Sequence, residues 1–176
     1  MVLSIGCGKV PLQPVVQTGN CTWEGALANP YKASVVVNKP VAEVFQFVAT
    51  DYLNNHPRWA PRVVELRLDS PGVVAVGAHG HEVRDQGGKR VTYAFEVADF
   101  ELNKRIAIKA TGRPGQFSTS YATTPISDSR TRLDIEFSLE MGGLLGLSQP
   151  LMAGSLRKEV YRVSRSIKGM LEQGSA

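Results

Sequence analysis

The stretch SQPLMAGSLRKEVYRVSRSIKGMLEQ, Ser148 to Gln173, carries one long helical pattern. Met152, Leu156, Val160, Val163, Ile167, Met170 and Leu171 gather on a single stripe roughly 100° wide, while Lys158, Arg162, Arg165 and Lys168 fall on the opposite, solvated face. Ser148 is placed to cap this helix, Pro150 sits in its first turn and Gly174 ends it. An amphipathic helix of this length must lay its stripe on another apolar surface, so the rest of the chain is read for that surface.

The surface comes from strands. Leu133, Ile135, Phe137, Leu139 and Met141 alternate with Asp134, Glu136, Ser138 and Glu140, the clearest period of two in the chain. Before it, Phe117, Thr119, Tyr121 and Thr123 form one face of a strand, Ile106, Ile108 and Ala110 another, and Val91, Tyr93, Phe95 and Val97 a third. Asp85-Gln86-Gly87-Gly88, Asn103-Lys104 and Gly112 to Gly115 supply the turns. Upstream, strands are expected around Val64, Leu66 and Leu68 and from about Val76 to Arg84. Ala33, Val35 and Val37 mark a first strand. Asn38 then caps a short helix over Lys39 to Thr50, and a further turn over Asp51 to Asn55 stops at His56-Pro57, because a residue before proline avoids the helical region. The predicted class is α+β: a curved antiparallel sheet under a long C-terminal helix, with room for an apolar cavity between them. The domain runs from residue 31 to 174, after an extension over residues 1–30 that shows no periodicity.

Val35-Val36-Val37-Asn38-Lys39-Pro40-Val41-Ala42-Glu43-Val44-Phe45, Asn55-His56-Pro57-Arg58-Trp59-Ala60-Pro61, Val76-Gly77 and Gln149-Pro150-Leu151-Met152 resemble segments of the polyketide cyclase/dehydrase and lipid transport group. That group belongs to the START-like (SRPBCC) superfamily with its helix-grip fold. The resemblance covers about Tyr31 to Gln173; Ser129-Arg130-Thr131 departs from the Gly-Thr often found before the last strand, which alters only a turn. It implies a cavity for a lipid, polyketide or similar apolar molecule, and no single chemistry, since one fold serves carriers and cyclases alike.

Composition sets bounds. A net charge of +4, from 20 Lys and Arg against 16 Asp and Glu, is spread along the chain, and the basic residues lack interleaved aromatics, so nucleic acid is not an expected partner. Cys7 and Cys21 are too few for a disulfide scaffold and lack zinc-site spacing, which suits a reducing, cytoplasmic setting. Gly6, Gly8, Lys9, Pro11 and Pro14 interrupt any signal-peptide core, and no apolar run approaches the roughly 18 residues of a membrane span. A monomer or homodimer with a small hydrophobic partner, and neither cofactor nor metal, is the expectation.

Candidate site residues follow from strand phase and the helix stripe. If Val83 faces the cavity, His79 and His81 share its face while Glu82 and Arg84 point away, so the two imidazoles stand as hydrogen-bonding groups at the cavity lip or as a general base with its partner; two metal ligands would want a third that cannot be placed. Tyr93 and Tyr121 can line the pocket and steady a ligand carbonyl or an enolate, with Phe95 beside them. Glu159, at the edge of the stripe, can dip inward as a carboxylate of raised pKa or pair with Arg162 or Arg165. Trp59 plugs the pocket mouth, and Met152, Leu156, Val160 and Val163 form the roof. Two functions stay open: a carrier of an apolar molecule, and a cyclase-type enzyme in which His79, His81 or Glu159 removes a proton.

Overall fold

A computed structural model describes residues 30–113, 115–141 and 149–173. Ser148, Gly174, the run from Gly142 to Gly146, both cysteines and the N-terminal extension through residue 29 lie outside the described residues.

Seven strands form one antiparallel sheet: β1 (Tyr31–Val37), β2 (Val63–Leu68), β3 (His79–Asp85), β4 (Arg90–Glu101), β5 (Arg105–Gly112), β6 (Gly115–Ser127) and β7 (Arg130–Met141). Their order across the sheet is β1-β7-β6-β5-β4-β3-β2, so every neighbour from β2 to β7 is a hairpin partner and only β1 crosses over. Register shifts at Val63/Glu65, Val97/Asp99 and Pro125/Ser127 place bulges that curve the sheet. The final helix, α3 (Gln149–Gln173), lies on the concave face and packs chiefly on β1 and β7. Its stripe is the expected one: Val160, Ile167 and Leu171 are buried, and Ser164 among them is buried too, its hydroxyl donating to the Tyr161 carbonyl at 2.8 Å. Ile167 meets a core that includes Val37, Val44, Phe45, Leu133 and Ile135. Truncating such a residue to alanine costs about 2–5 kcal/mol.

The basic face of α3 is not wholly solvated. Lys168 Nζ donates to the Val36 carbonyl at 2.6 Å and to Glu172 Oε1 at 2.7 Å, and Glu172 accepts from the Asn38 backbone N–H at 2.8 Å. These bonds tie the end of α3 to the end of β1. Among the described residues no helix is long and apolar enough to cross a membrane.

Between β1 and β2 the chain departs from the expected boundaries. Helix α1 (Val41–Phe45) is capped by Pro40 rather than Asn38, whose backbone is engaged by Glu172, and no side chain caps it. It runs into a π-helical turn over Gln46–Thr50, closed by Asp51 N–H donating to the Gln46 carbonyl at 2.8 Å. Helix α2 (Tyr52–Trp59) continues through Pro57, where a stop was expected. An internal proline costs a helix about 3 kcal/mol. Burying Tyr52 and Trp59, both on one side of α2, offsets that loss, since each large apolar side chain contributes about 1.5–3 kcal/mol.

Two strands also differ. In β2 the bulge turns Val63 inward and leaves Val64 half exposed, so Val64 does not share the face of Leu66 and Leu68. In β3 the strand begins at His79, later than expected; just before it Gly77 takes a positive φ of 82°, while Gly77 and Ala78 still exchange backbone hydrogen bonds with Val97. The β3–β4 hairpin turns on Gly87 and Gly88 at φ 69° and 85°, a left-handed pair that glycine adopts without strain.

Candidate functional site

The concave sheet and α3 border a partly open cavity of two adjoining lobes. One, of about 410 Å3, is bounded by Tyr93, Phe117, Leu139 and Met141; the other, of about 340 Å3, by Trp59, Tyr121, Ile135, Val160 and Val163. Arg62, Arg84, Phe137, Met152 and Leu156 belong to both walls. Both sizes lie in the range of small-molecule sites.

Most of the apolar lining is where strand phase and the helix stripe put it. Tyr93 is buried and its hydroxyl accepts from Gln86 Nε2 at 2.9 Å. Room for its ring depends on Gly112, directly across from it on β5: a Cβ there would come within 2.7 Å of the ring. Tyr121 is buried and accepts from Trp59 Nε1 at 3.3 Å, which leaves its own O–H free to donate. Burial pushes its pKa up to about 12, against the hydrogen bond from Trp59, so it stays a neutral donor. Trp59 has no exposed surface and packs edge-on against Tyr121. Phe95 is buried in the core and lies off both cavity walls.

The histidines expected at the lip are on the other side of the sheet. His79 is exposed, with Nδ1 3.4 Å from the Gly77 carbonyl. His81 sits between Asp69 at 3.0 Å and Glu65 at 3.3 Å on the convex face, where the hydrogen bond to Asp69 holds its pKa above the usual range. Gly80, Glu82 and Arg84 face inward instead. The phase was readable from the hairpin: a turn over Gln86 to Lys89 pairs Asp85 with Arg90 and hence Glu82 with Tyr93, and directly opposed residues share a face. Val83 is opposite Thr92, on the outer side. With polar residues on both faces of β3, hydropathy alone could not choose between them.

Glu159 borders the cavity but does not enter it as a neutral acid. Its carboxylate is half exposed and held by Arg162 at 2.5 Å and 2.9 Å, and that bond brings its pKa below the ordinary value rather than above it.

What β3 and α2 bring together is a buried polar cluster that the sequence reading missed. Glu82, with 3% of its surface exposed, has Oε1 hydrogen-bonded to Arg84 Nε and Oε2 3.4 Å from His56 Nε2. Burial pushes the Glu82 carboxyl up, but His56 and the Arg84 charge outweigh it and hold the group below its ordinary value. Arg84 lies with its guanidinium carbon 4.6 Å over the Phe117 ring centroid, and the Glu82 charge overcomes burial to keep it fully protonated. His56 stacks on Tyr52 at 4.6 Å, and burial lowers its pKa despite the adjacent carboxylate, so the ring is neutral near pH 7. Neither of its nitrogens makes a well-aligned hydrogen bond, and both are shielded from solvent. Among the described residues no three His, Cys, Asp or Glu side chains are grouped to hold a metal ion.

Comparison with known proteins places this geometry. Residues 31–172 match the family described as polyketide cyclase / dehydrase and lipid transport. No curated protein matches the chain by sequence. The Zhui aromatase/cyclase from Streptomyces sp. R1128 superposes with a TM-score of 0.65 at 16% identity, covering 84% of this chain and 96% of that one. A START superfamily protein from Mycobacterium smegmatis gives 0.64 at 14% identity, covering 83% and 99%. A truncated norcoclaurine synthase from Thalictrum flavum gives 0.60 at 10% identity, covering 81% and 92%. At these identities the likeness is one of fold.

Proposed function

The chain belongs to the polyketide cyclase / dehydrase and lipid transport family, and on that premise we propose that it holds a small hydrophobic molecule between sheet and helix as a carrier or sequestering protein. One observation carries the reading: two adjoining lobes with largely apolar walls meet at Arg84, whose wall also includes the free O–H of Tyr121 in one lobe. Such a site takes an apolar body and fixes one polar end. Native mass spectrometry of protein purified from its own host tests it, together with saturable binding of the neutral probe N-phenyl-1-naphthylamine. Leu156 borders both lobes, so Leu156→Trp fills the space and is expected to abolish the adduct and weaken the probe at least about tenfold, by loss of the occupied volume. No adduct and no saturable probe binding in the parent protein would overturn the proposal.

A second reading, a cyclase-type enzyme, draws on the same wall, where the Arg84 guanidinium and the Tyr121 hydroxyl can polarise a carbonyl. The base it needs is the weak point. His79 and His81 are across the sheet, Glu159 is paired with Arg162, and His56, though it borders one lobe, has both ring nitrogens shielded from solvent. The carrier therefore stands first. Ring closure of a poly-ketone substrate that is lost on His56→Gln would reverse the order.

A further inference from the structure

Within the carrier reading, on which this inference rests, we propose that the cavity selects amphiphiles bearing a single negative charge, with the anionic head held at the junction of the lobes by Arg62 and Arg84. The two arginines come to one place by strand pairing. Val63 on β2 is opposite Arg84 on β3, and the Arg62 carbonyl accepts from Asp85 N–H at 2.8 Å, which brings Arg62 to the end of β3 next to Arg84; Arg62 is the more exposed of the two, and both border each lobe.

Their charges are not equally compensated. Arg84 is matched by Glu82, and His56, the remaining ionisable group beside that carboxylate, is neutral. Arg62 has no carboxylate within ion-pair distance among the described residues. Glu159, the acidic side chain of α3 that borders the cavity, feels the Arg62 charge but is already held by Arg162 at 2.5 Å. The cavity wall thus carries one positive charge in excess, next to a second guanidinium that Glu82 and Phe117 hold in place. A carboxylate satisfies that excess and offers two acceptors to two forked donors, an arrangement stronger than a neutral hydrogen bond. A neutral alcohol supplies only an acceptor and a donor without charge, and an ammonium is repelled. The tail then lies along Met152 and Leu156, which roof both lobes.

The test uses the full chain, stripped of bound lipid, and three matched series: decanoic, dodecanoic and tetradecanoic acids, the corresponding alcohols and the corresponding amines. Affinities are read by displacement of N-phenyl-1-naphthylamine at pH 7.5 in low and high salt. The acids are expected to bind at least about tenfold more tightly than alcohols of equal length, the advantage shrinking in high salt, with the amines weakest. Arg62→Met is expected to bring the acid-to-alcohol ratio close to one, and Arg62→Lys to restore part of it. Equal affinity for acids and alcohols, or a ratio that Arg62→Met leaves untouched, overturns the anionic-head assignment while the carrier reading stands. Failure of all three series to displace a bound probe overturns the head assignment alone; a probe that does not bind, in a protein that also yields no native adduct, overturns both readings.

Discussion

Removing Arg84 should leave Glu82 as a buried charge with no full partner, and the size of the penalty can be worked from its surroundings. The Glu82 side chain is 4% exposed, its Oε1 is bonded to Arg84 Nε, and its other neighbour, His56, is neutral. Breaking one side of a buried ion pair costs about 3–5 kcal/mol, because the surviving charge keeps its desolvation penalty and loses the attraction that offset it. Arg84→Met should therefore lower the unfolding free energy by about 3 kcal/mol or more, which for a domain of this size lowers Tm by roughly 6–12 °C. Glu82→Gln should cost less, since Arg84 has a flexible stem and 24% of its side-chain surface exposed, so it can swing its charge toward water. The double variant should lose no more than about 2 kcal/mol, giving a coupling energy of at least about 1 kcal/mol on top of whatever Glu82→Gln costs alone. The pH dependence should change as well. With Arg84 gone the Glu82 charge falls on His56 alone, raising an imidazole pKa that is now depressed, so the Arg84→Met deficit should shrink as pH falls from 8 to 6. Urea denaturation followed by circular dichroism at several pH values measures all three quantities. A deficit under about 1 kcal/mol, with single changes that add within about 0.5 kcal/mol, would refute the buried-pair account.

Two further outcomes separate the cavity from the convex face. His79→Ala and His81→Ala should each leave N-phenyl-1-naphthylamine affinity within about twofold of the parent, as both side chains are across the sheet from the lobes; a tenfold loss measured by titration would return them to the site. For His56, burial depresses the folded pKa, so below the unfolded value of about 6.5 the unfolded chain takes up a proton that the folded chain refuses, and stability should fall as pH drops, by at most about 1.4 kcal/mol per unit. His81, whose folded pKa is raised, works weakly the other way from its exposed site, and Glu82, whose folded pKa is lowered, keeps its contribution until more acidic pH. His56→Gln should flatten the parent's decline between pH 7 and 5 in thermal melts, and identical slopes would show that the ring is not held neutral.

Legibility varied with how many physical rules spoke for the same residue. The stripe on α3 and the strands β4 to β7 were readable because burial repeats every 3.6 or every two residues, so several side chains voted together on one phase. Tyr93, Tyr121, Met152, Leu156, Val160 and Val163 reached the cavity on that basis. Trp59 reached it as a pocket plug within a segment of familiar pattern. Short elements had fewer voters. Pro57 argued for a stop and was overruled by the burial of Tyr52 and Trp59, which no local rule could weigh.

By itself the sequence determined the layer order of this protein: an amphipathic helix and a set of one-sided strands have one economical way to hide their apolar faces, and the α+β helix-grip arrangement is it. What only the tertiary structure decided is the polar lining. Glu82, His56 and Arg84 are far apart in type from anything hydropathy would put inside, and Glu82 is buried because pairing and register bring a guanidinium and an imidazole to it from β3 and α2. A charge can occupy an interior only where opposite charge and donors are already waiting, and that is a property of the assembled neighbourhood, not of any one segment.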